Sequence, residues 1–365
     1  MQGGSVGPAT IGVNRDGNLR TMSTKDLKWS ELPFGYVKAD YNVRCTFKDG
    51  KWGPIEVSDS EYVPLHIAAT CLHYGQEAFE GLKAFRGKDG KVRVFRMDEN
   101  AKRFRDSALG IAMEPLPVEK FEEMVRLVVK LNGNLIPPYG SGASLYIRPL
   151  EIGMSARVGV SPADEYMVIM LVTPVGPYFK AGFKPTKVCL SREYDRVAPK
   201  GTGAIKIGGN YAASLVAGNK AHELGYSVML YLDPKEKKYL DECGAANFYA
   251  VRDNKYITPK SETVLPSITN KSLRQLARDL GMEVEERHIA YEELPTFSEA
   301  GACGTAAVCS PIGRIDDLDN GNTFTYDMNE AGPVTKKLYD TIRAIQLGEI
   351  EDKHGWTEVL EIEGE

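Results

Sequence analysis

The sequence predicts a mixed α/β (or α+β) fold in two lobes, and three observations support this class. Strand-like and helix-like segments alternate along the chain without an internal repeat. A stretch of two prolines and two glycines within residues 174–182 separates the two halves. The 365 residues are also enough for about two domains and a sizeable core.

The first half begins with two predicted β-hairpins. Residues 34–57 alternate apolar and polar side chains around an Asp-Gly turn, and residues 82–95 turn at a second Asp-Gly pair. Strands are predicted at 143–147 and 166–173. Between the hairpins and these strands, helical spacing of four apolar residues predicts a helix with the face Phe121, Met124, Val125 and Val128.

The second half repeats this mixture of elements. A strand near 187–191 is followed by a glycine-rich turn, a helix over 211–224 and an apolar strand over 227–232. A hairpin is predicted over 247–258. Two later helices have the apolar faces Leu273, Leu276, Ala277, Leu280 and Val334, Leu338, Ile342, Ile345.

These elements predict a small α/β domain over 31–174 and a larger domain over 185–365, joined by a linker at 175–184. Residues 1–30 are expected to form a flexible tail, and Met22 could be an alternative start. The first residues lack the apolar segment of a secretory signal. We therefore expect a cytoplasmic protein.

Composition excludes several classes of protein. The net charge of −5, from 45 basic and 50 acidic residues, gives no reason to expect binding to nucleic acid or to a membrane surface. No apolar run approaches the ~20 residues of a membrane span. Six cysteines without a C-x-x-C pair and five scattered histidines predict a reducing compartment and no metal site.

Lys206 is the first candidate for chemistry, because it lies in a turn that contains four glycines. A lysine amine with open space beside it can form a Schiff base with a carbonyl compound. An ordinary loop lysine is the alternative. A nucleotide-binding loop is disfavoured, because the segment fits neither the dinucleotide fingerprint nor the P-loop.

Three further segments extend this candidate site. Glu242 follows the strand over 227–232, residues 265–269 begin a helix whose first N–H groups suit an anion, and residues 304–306 form a second such segment. A lysine, a carboxylate and two anion-binding segments are what a phosphorylated pyridine cofactor requires.

Six ordered motifs cover about nine-tenths of the chain, from Phe34 to Trp356. They are His73-Tyr74-Gly75-Gln76-x-x-Phe79-Glu80-Gly81-Leu82-Lys83-Ala84, Tyr146-Ile147-Arg148-Pro149, Lys206-Ile207-Gly208-Gly209-Asn210-Tyr211, Glu242-x-Gly244-x-x-Asn247-Phe248, Leu265-Pro266-x-Ile268-Thr269 and Gly304-Thr305-Ala306. Together they resemble the branched-chain amino-acid aminotransferases, which are pyridoxal 5'-phosphate enzymes of fold type IV with the cofactor between two domains.

The resemblance implies three catalytic residues. Lys206 would carry the Schiff base and transfer a proton, Glu242 would face the pyridine nitrogen, and Tyr211 would lie near the phenolic oxygen of the cofactor. Contacts to the cofactor phosphate would come from Arg103, Ile268, Thr269 and Thr305.

The resemblance also implies a reaction, a substrate pocket and a homodimer. Amino groups of leucine, isoleucine or valine would pass to 2-oxoglutarate, giving branched-chain 2-oxo acids and glutamate, as in branched-chain amino-acid biosynthesis. An apolar lining suits these side chains, and an arginine suits the second carboxylate of 2-oxoglutarate. The implied lining is Phe34, Tyr74, Phe79, Tyr146, Arg148, Val160 and Ala306, with Val160 supplied by the neighbouring subunit.

Two departures and three alternatives accompany this resemblance. Ala245 replaces a threonine that many relatives use for the substrate carboxylate, and the cysteine pair of mammalian relatives is absent, so no thiol switch of that kind is expected. Cys243 is expected to be a small buried apolar residue.

The alternatives are a D-amino-acid aminotransferase or aminodeoxychorismate lyase of the same fold type, a nucleotide-binding module, and a non-catalytic binding protein.

Overall fold

The computed structural model describes residues 23–178 and 183–362. Within this part the chain divides into two compact units. Unit 1 consists of the described residues of Met1–Pro177 and Asp352–Glu365, and unit 2 of those of Tyr178–Glu351.

Helices and strands alternate along both units, as the sequence predicts. The helices are α1 (Thr70–Tyr74), α2 (Met97–Leu109), α3 (Val118–Leu131), α4 (Gly208–Ala213), α5 (Leu215–Glu223), α6 (Ile268–Asp279) and α7 (Pro333–Gln346). The strands are β1 (Asn42–Lys48), β2 (Lys51–Ser58), β3 (Glu77–Phe79), β4 (Leu82–Arg86), β5 (Val92–Phe95), β6 (Ser144–Gly153), β7 (Tyr166–Val175), β8 (Thr186–Leu190), β9 (Val228–Leu232), β10 (Leu240–Cys243), β11 (Ala246–Arg252), β12 (Lys255–Pro259), β13 (Glu283–Arg287), β14 (Glu299–Gly304), β15 (Val308–Asp317), β16 (Thr323–Thr325) and β17 (Thr357–Leu360).

Unit 1 is built on one antiparallel sheet of eight strands in the order β17-β5-β4-β6-β7-β1-β2, with β3 beside β6. Helices α2 and α3 bury their apolar faces against this sheet. The four residues that predicted α3 are all fully buried in this core, next to residues of β1, β4, β6 and β7. Removal of these side chains from water is the main stabilising term for such a layer.

Unit 2 contains a nine-stranded sheet that closes on itself. The main order is β10-β9-β8-β15-β14-β11-β12-β13, and β10 also pairs with β11. Six strands therefore form a ring, whose inside is filled by apolar residues such as Leu190, Phe248 and Ile312. Helices α6 and α7 cover the outer face, where Tyr256 donates a hydrogen bond to Asn270 of α6.

Two predicted elements have different bounds in the structure. Strand β6 continues to Gly153 instead of ending at residue 147, because each of its residues pairs with β7. The helix predicted over 211–224 begins at Gly208 and is interrupted at Ser214. The Ser214 hydroxyl donates to the carbonyl of Tyr211, a contact that competes with the helical hydrogen-bond pattern.

The domain bounds stay a prediction, and the two units differ from them at the C-terminus. Strand β17 pairs with β5, so residues after Glu351 group with unit 1 instead of with 185–365. Residues 1–22 of the predicted tail and residues 179–182 of the predicted linker lie outside the described residues.

All six cysteines are free thiols. Cys243 belongs to the apolar filling of the ring, and burial raises the pKa of its thiol far above the usual range, as expected for a small apolar residue. In the described ranges, no helix is both long and apolar enough to cross a bilayer. No cluster of three metal-ligating side chains was found among the same residues.

Glu151 is an unusual residue in the core of unit 1. Its side chain on β6 is inaccessible to solvent, and neither carboxylate oxygen has a hydrogen-bond partner in the described structure. Burial, with a smaller effect of Glu114, raises the pKa of Glu151 to about 9. The folded protein therefore holds a proton at neutral pH that an unfolded chain releases above about pH 4.5.

This linkage predicts that the free energy of unfolding falls as pH rises from about 4.5 to 9. Glu151→Gln removes the titration, so we expect it to stabilise the protein at pH 8 by on the order of 3 kcal/mol and to have little effect near pH 4.5. Urea unfolding at several pH values measures this difference. Glu56→Gln, on the exposed side of β2, is the control. An equal pH slope in wild type and Glu151→Gln would contradict the prediction.

Candidate active site

The glycine-rich turn before α4 is held in place by Asn210. The Asn210 amide donates to the carbonyls of Thr202 (2.7 Å) and Ile205 (3.0 Å) and accepts from the Thr202 hydroxyl at 2.6 Å. Asn210 is buried at the first turn of α4. One side chain thus fastens both arms of the turn to the helix and fixes the backbone that carries Lys206.

The structure brings together Lys206 and Tyr211, two of the predicted catalytic residues. The Lys206 Nζ donates to the Tyr211 hydroxyl over 2.7 Å and lies 4.9 Å from the centre of the Tyr211 ring. Because Tyr211 lies on α4, which Asn210 ties to the turn, the position of the amine is determined by rigid neighbours.

Glu242 lies on β10 with its side chain buried. The backbone N–H of Leu265 donates to Glu242 Oε1, and the Arg196 guanidinium lies 3.6 Å from the same oxygen. Burial raises the pKa of Glu242 to about 6, and the charges of Arg196 and Lys206 act against this rise. A pKa near 6 leaves the carboxyl anionic at neutral pH.

The beginning of α6 has the geometry of an anion-binding helix terminus. Ser267 caps the helix by accepting a hydrogen bond from the backbone N–H of Asn270 at 3.2 Å. The Asn270 amide donates to Asn247 on β11, and Asn247 donates to the Leu265 carbonyl, both over 3.0 Å. The sheet therefore fixes the first turn of α6, where the N–H groups of Ile268 and Thr269 suit a phosphate.

Two turns lie side by side at one end of the ring. A Cβ on Gly304, before the β14–β15 turn, would lie 3.9 Å from the carbonyl oxygen of Ala245 in the β10–β11 turn. Thr305 and Ala306 line a cavity of about 530 Å³, together with aliphatic side chains on the inner face of the ring. A volume of this size is typical of small-molecule sites.

In unit 1, Arg103 forms a bidentate ion pair with Glu80. The two hydrogen bonds measure 2.6 and 2.9 Å, and Glu80 is completely buried. Glu80 also accepts from the Asn100 amide at 2.7 Å and from the backbone N–H of Gly81 at 3.0 Å. These contacts fix the guanidinium of the predicted phosphate ligand.

Four predicted substrate residues form one cluster in unit 1. Phe34 meets Tyr146 edge to face with ring centres 5.1 Å apart. The Arg148 guanidinium lies 5.1 Å from the Phe79 ring centre and donates to the Tyr146 hydroxyl at 3.2 Å. A Cβ on Gly81 would collide with the Tyr146 hydroxyl, so this arrangement requires glycine there.

Tyr74 lies outside this cluster and contacts the loop that carries Val160. The Tyr74 hydroxyl donates to the carbonyl of Val158, two residues before Val160. The side chains of Val158 and Val160 are more than four-fifths exposed. The loop 156–161 therefore presents apolar side chains to the outside of this chain.

Sequence reasoning assigned no role to two residues that the structure makes prominent. Glu80 belongs to the motif over 73–84, but its burial beside Arg103 depends on a contact across 23 residues that the motif does not show. Arg196 belongs to no motif and has no informative spacing to Glu242. Asn210 and Asn247 belong to motifs, and only the structure shows the hydrogen bonds that explain them.

Gly203 allows the glycine-rich turn to approach the segment before α6. A Cβ on Gly203 would lie 2.4 Å from the Thr263 carbonyl oxygen and 2.8 Å from its carbonyl carbon. Because those atoms are backbone, we expect Gly203→Ala to lower the free energy of unfolding by about 1–3 kcal/mol. Gly218→Ala on α5, where a Cβ meets nothing within 4 Å, is the matched control and should be neutral or stabilising. Equal urea midpoints for Gly203→Ala and wild type would refute this expectation.

Comparisons with known proteins identify the family of this chain. The model of the amino-transferase class IV family matches residues 77–315. A branched-chain-amino-acid aminotransferase of Haemophilus influenzae is 46% identical over 91% of this chain and 98% of its own. The chloroplastic branched-chain-amino-acid aminotransferase 5 of Arabidopsis thaliana is 41% identical, and the match covers 95% of this chain and 85% of that protein. The branched-chain amino acid aminotransferase structure of Escherichia coli has a TM-score of 0.72 at 30% identity, covering 88% of this chain and 99% of that one. The chain therefore belongs to the class IV aminotransferases and, within them, to the pyridoxal-phosphate-dependent branched-chain-amino-acid aminotransferases of fold type IV.

Proposed function

We propose that this chain transfers amino groups between L-leucine, L-isoleucine or L-valine and 2-oxoglutarate, giving branched-chain 2-oxo acids and L-glutamate. The observation that carries the proposal is the placement of Lys206, whose amine contacts Tyr211 and acts electrostatically on the buried Glu242. The names of the relatives at 46% and 41% identity support this substrate class.

Pyridoxal 5'-phosphate suits the donor set of unit 2. Lys206 would hold it through the amine, and Glu242 supplies a buried anion for its ring nitrogen. Phosphate ligands would be the N–H groups of Ile268 and Thr269 and the side chain of Thr305. Arg103, fixed by Glu80 in unit 1, is proposed as a guanidinium ligand of phosphate.

The residues around Lys206 account for the proton transfers of the reaction. When bound, the cofactor supplies a sink for the electrons left at the substrate Cα. The Lys206 amine takes the Cα proton and later returns one, and the Tyr211 hydroxyl keeps the amine in position. Glu242, as an anion, holds a proton at the ring nitrogen.

The cluster of Phe34, Phe79, Tyr146 and Arg148 in unit 1 is proposed to bind the substrate side chain. Its rings offer apolar surface to a branched aliphatic side chain. The Arg148 guanidinium, stacked between two rings, can pair with the second carboxylate of 2-oxoglutarate or glutamate. Tyr74, also in unit 1, is proposed to offer a hydroxyl to the substrate, and Ala306 of unit 2 is proposed as a further substrate-binding residue.

Lys206→Ala tests the proposed function directly. We expect the variant to form no borohydride-reducible adduct with pyridoxal phosphate and to lose turnover of L-leucine with 2-oxoglutarate by at least about 10³-fold, because both the anchor and the base are removed. Glutamate formation and absorbance of the reduced protein measure the two effects.

Lys220→Ala, on the exposed side of α5, is the control and should retain both properties. A Lys206→Ala protein that keeps the adduct and full turnover would refute the proposal. A wild-type protein that turns over D-alanine but not L-leucine would favour the D-amino-acid alternative.

A cytoplasmic homodimer is the proposed working state. Free cysteines suit a reducing compartment. Ile67, Leu72, Val158 and Val160 form an exposed apolar patch, whose two segments are joined by the hydrogen bond from the Arg157 N–H to the Ala68 carbonyl. Such patches commonly mark protein interfaces, and a second copy would bring Val160 to the neighbouring site.

Charge in this apolar patch should weaken the dimer. Ile67 is 84% exposed, so Ile67→Asp should leave the fold of one chain intact while placing a desolvated carboxylate in the interface. We expect the mass measured by light scattering at low micromolar concentration to fall toward that of one chain. Leu109→Asp, at the exposed end of α2, is the control. A monomeric wild type, or an Ile67→Asp protein with unchanged mass, would argue against this interface.

A further inference from the structure

Arg196 connects three segments around the candidate site. Its side chain is 8% exposed, and Nη2 donates to the carbonyl of Gly203 at 3.0 Å and to the carbonyl of Thr263. The same nitrogen lies 3.6 Å from Glu242 Oε1. One guanidinium therefore contacts the turn before Lys206, the segment before α6, and β10.

The surroundings of Arg196 are dominated by two adjacent buried acids, Asp241 and Glu242. Burial raises the pKa of both carboxyls, and the charge of Arg196 opposes the rise at each of them. Asp241 accepts a hydrogen bond from the Thr263 hydroxyl, and its charge raises the pKa of Glu242. The Leu265 N–H and the charge of Lys206 lower the pKa of Glu242, and Glu242 in turn raises the pKa of the neighbouring Cys243 thiol.

The two cations near Glu242 differ in an important property. Lys206 has to give up its ammonium proton whenever its amine acts as a base or attacks a carbonyl carbon. A guanidinium keeps its proton at all accessible pH values. Of these two, Arg196 is thus the charge that stays beside Glu242 through the whole reaction.

We propose that Arg196 is a positioning residue that keeps Glu242 anionic during turnover and so keeps the proton on the ring nitrogen of the cofactor. This inference rests on the proposed function and adds a residue that has no direct contact with substrate. Its structural contacts to Gly203 and Thr263 aim the guanidinium at Glu242.

The charge and the hydrogen bonds of Arg196 can be separated with two variants. In Arg196→Gln the charge is lost while an amide donor remains; in Arg196→Lys the charge is kept and the planar fork is lost. We expect the acid limb of the kcat–pH profile to move up by about 1–3 pH units in Arg196→Gln and to stay within about half a unit in Arg196→Lys. An equal shift of the acid limb in both variants, or no shift of the acid limb in Arg196→Gln, would overturn the inference.

A binding measurement gives an independent readout. Wild-type apoprotein should prefer pyridoxal phosphate over its 1-deaza analogue, whose ring has carbon in place of the nitrogen, because an anionic Glu242 binds a protonated ring nitrogen. Arg196→Gln should lose most of this preference, and Arg196→Lys should keep it. A preference unchanged in Arg196→Gln would overturn the inference.

Should Arg196→Gln not fold, infrared difference spectra between wild-type holoenzyme and Glu242→Gln test the anionic state of Glu242 that the inference requires. A carboxylate band at pH 7 is expected, and a protonated carboxyl band would overturn the inference. Failure of the proposed function gives a different result, since wild type would then lack the reducible adduct and the turnover of L-leucine. If wild type is active and the acid limb of the kcat–pH profile does not move in Arg196→Gln, the role of Arg196 is refuted and the proposed function still stands.

Discussion

The burial of one carboxylate, that of Glu242, organises the candidate site. An anion removed from water is tolerated only when protein donors and charges replace its hydration. Here the replacement comes from the Leu265 N–H and from Arg196, which belong to different segments. The requirements of this single group therefore connect β10 to the beginning of α6 and to the chain that leads into Lys206.

Two other buried acids show how strongly the charge state of a buried carboxyl depends on the hydrogen-bond donors and charges beside it. Glu80 is as inaccessible as Glu242, yet its oxygens are saturated by Arg103, Asn100 and a backbone N–H, so its charge is fully compensated. Glu151 is equally inaccessible, neither of its carboxylate oxygens has a donor in the described structure, and the charge of Glu114 works against its ionisation. Glu80 holds a guanidinium in place and Glu242 holds the beginning of a helix, whereas Glu151 stays protonated at neutral pH.

Local patterns predicted the parts of this structure that local physics determines. The α3 face and the hairpins follow from periodicity and turn residues, the start of α6 lies in the segment predicted to begin a helix, and the motifs predicted that Lys206 and Glu242 belong to one site. The pairing of β17 with β5, the full length of β6 and the role of Arg196 depend on contacts between residues far apart in sequence. No spacing in a single sequence encodes such contacts, because only the folded chain brings their partners together.

In the closed ring of unit 2, the residues around Lys206 and Glu242 are constrained by buried contacts, and the residues of two connecting turns are not. Lys206 and Glu242 depend on buried hydrogen bonds and charges, so few exchanges are tolerated around them. Ala245 and Ala306 lie in turns that only connect strands already paired on both sides. Side chains in these turns can change size or polarity without exposing a strand edge or opening the core. The ring thus lets these turns differ in side-chain size and polarity while the buried contacts around Lys206 and Glu242 stay unchanged.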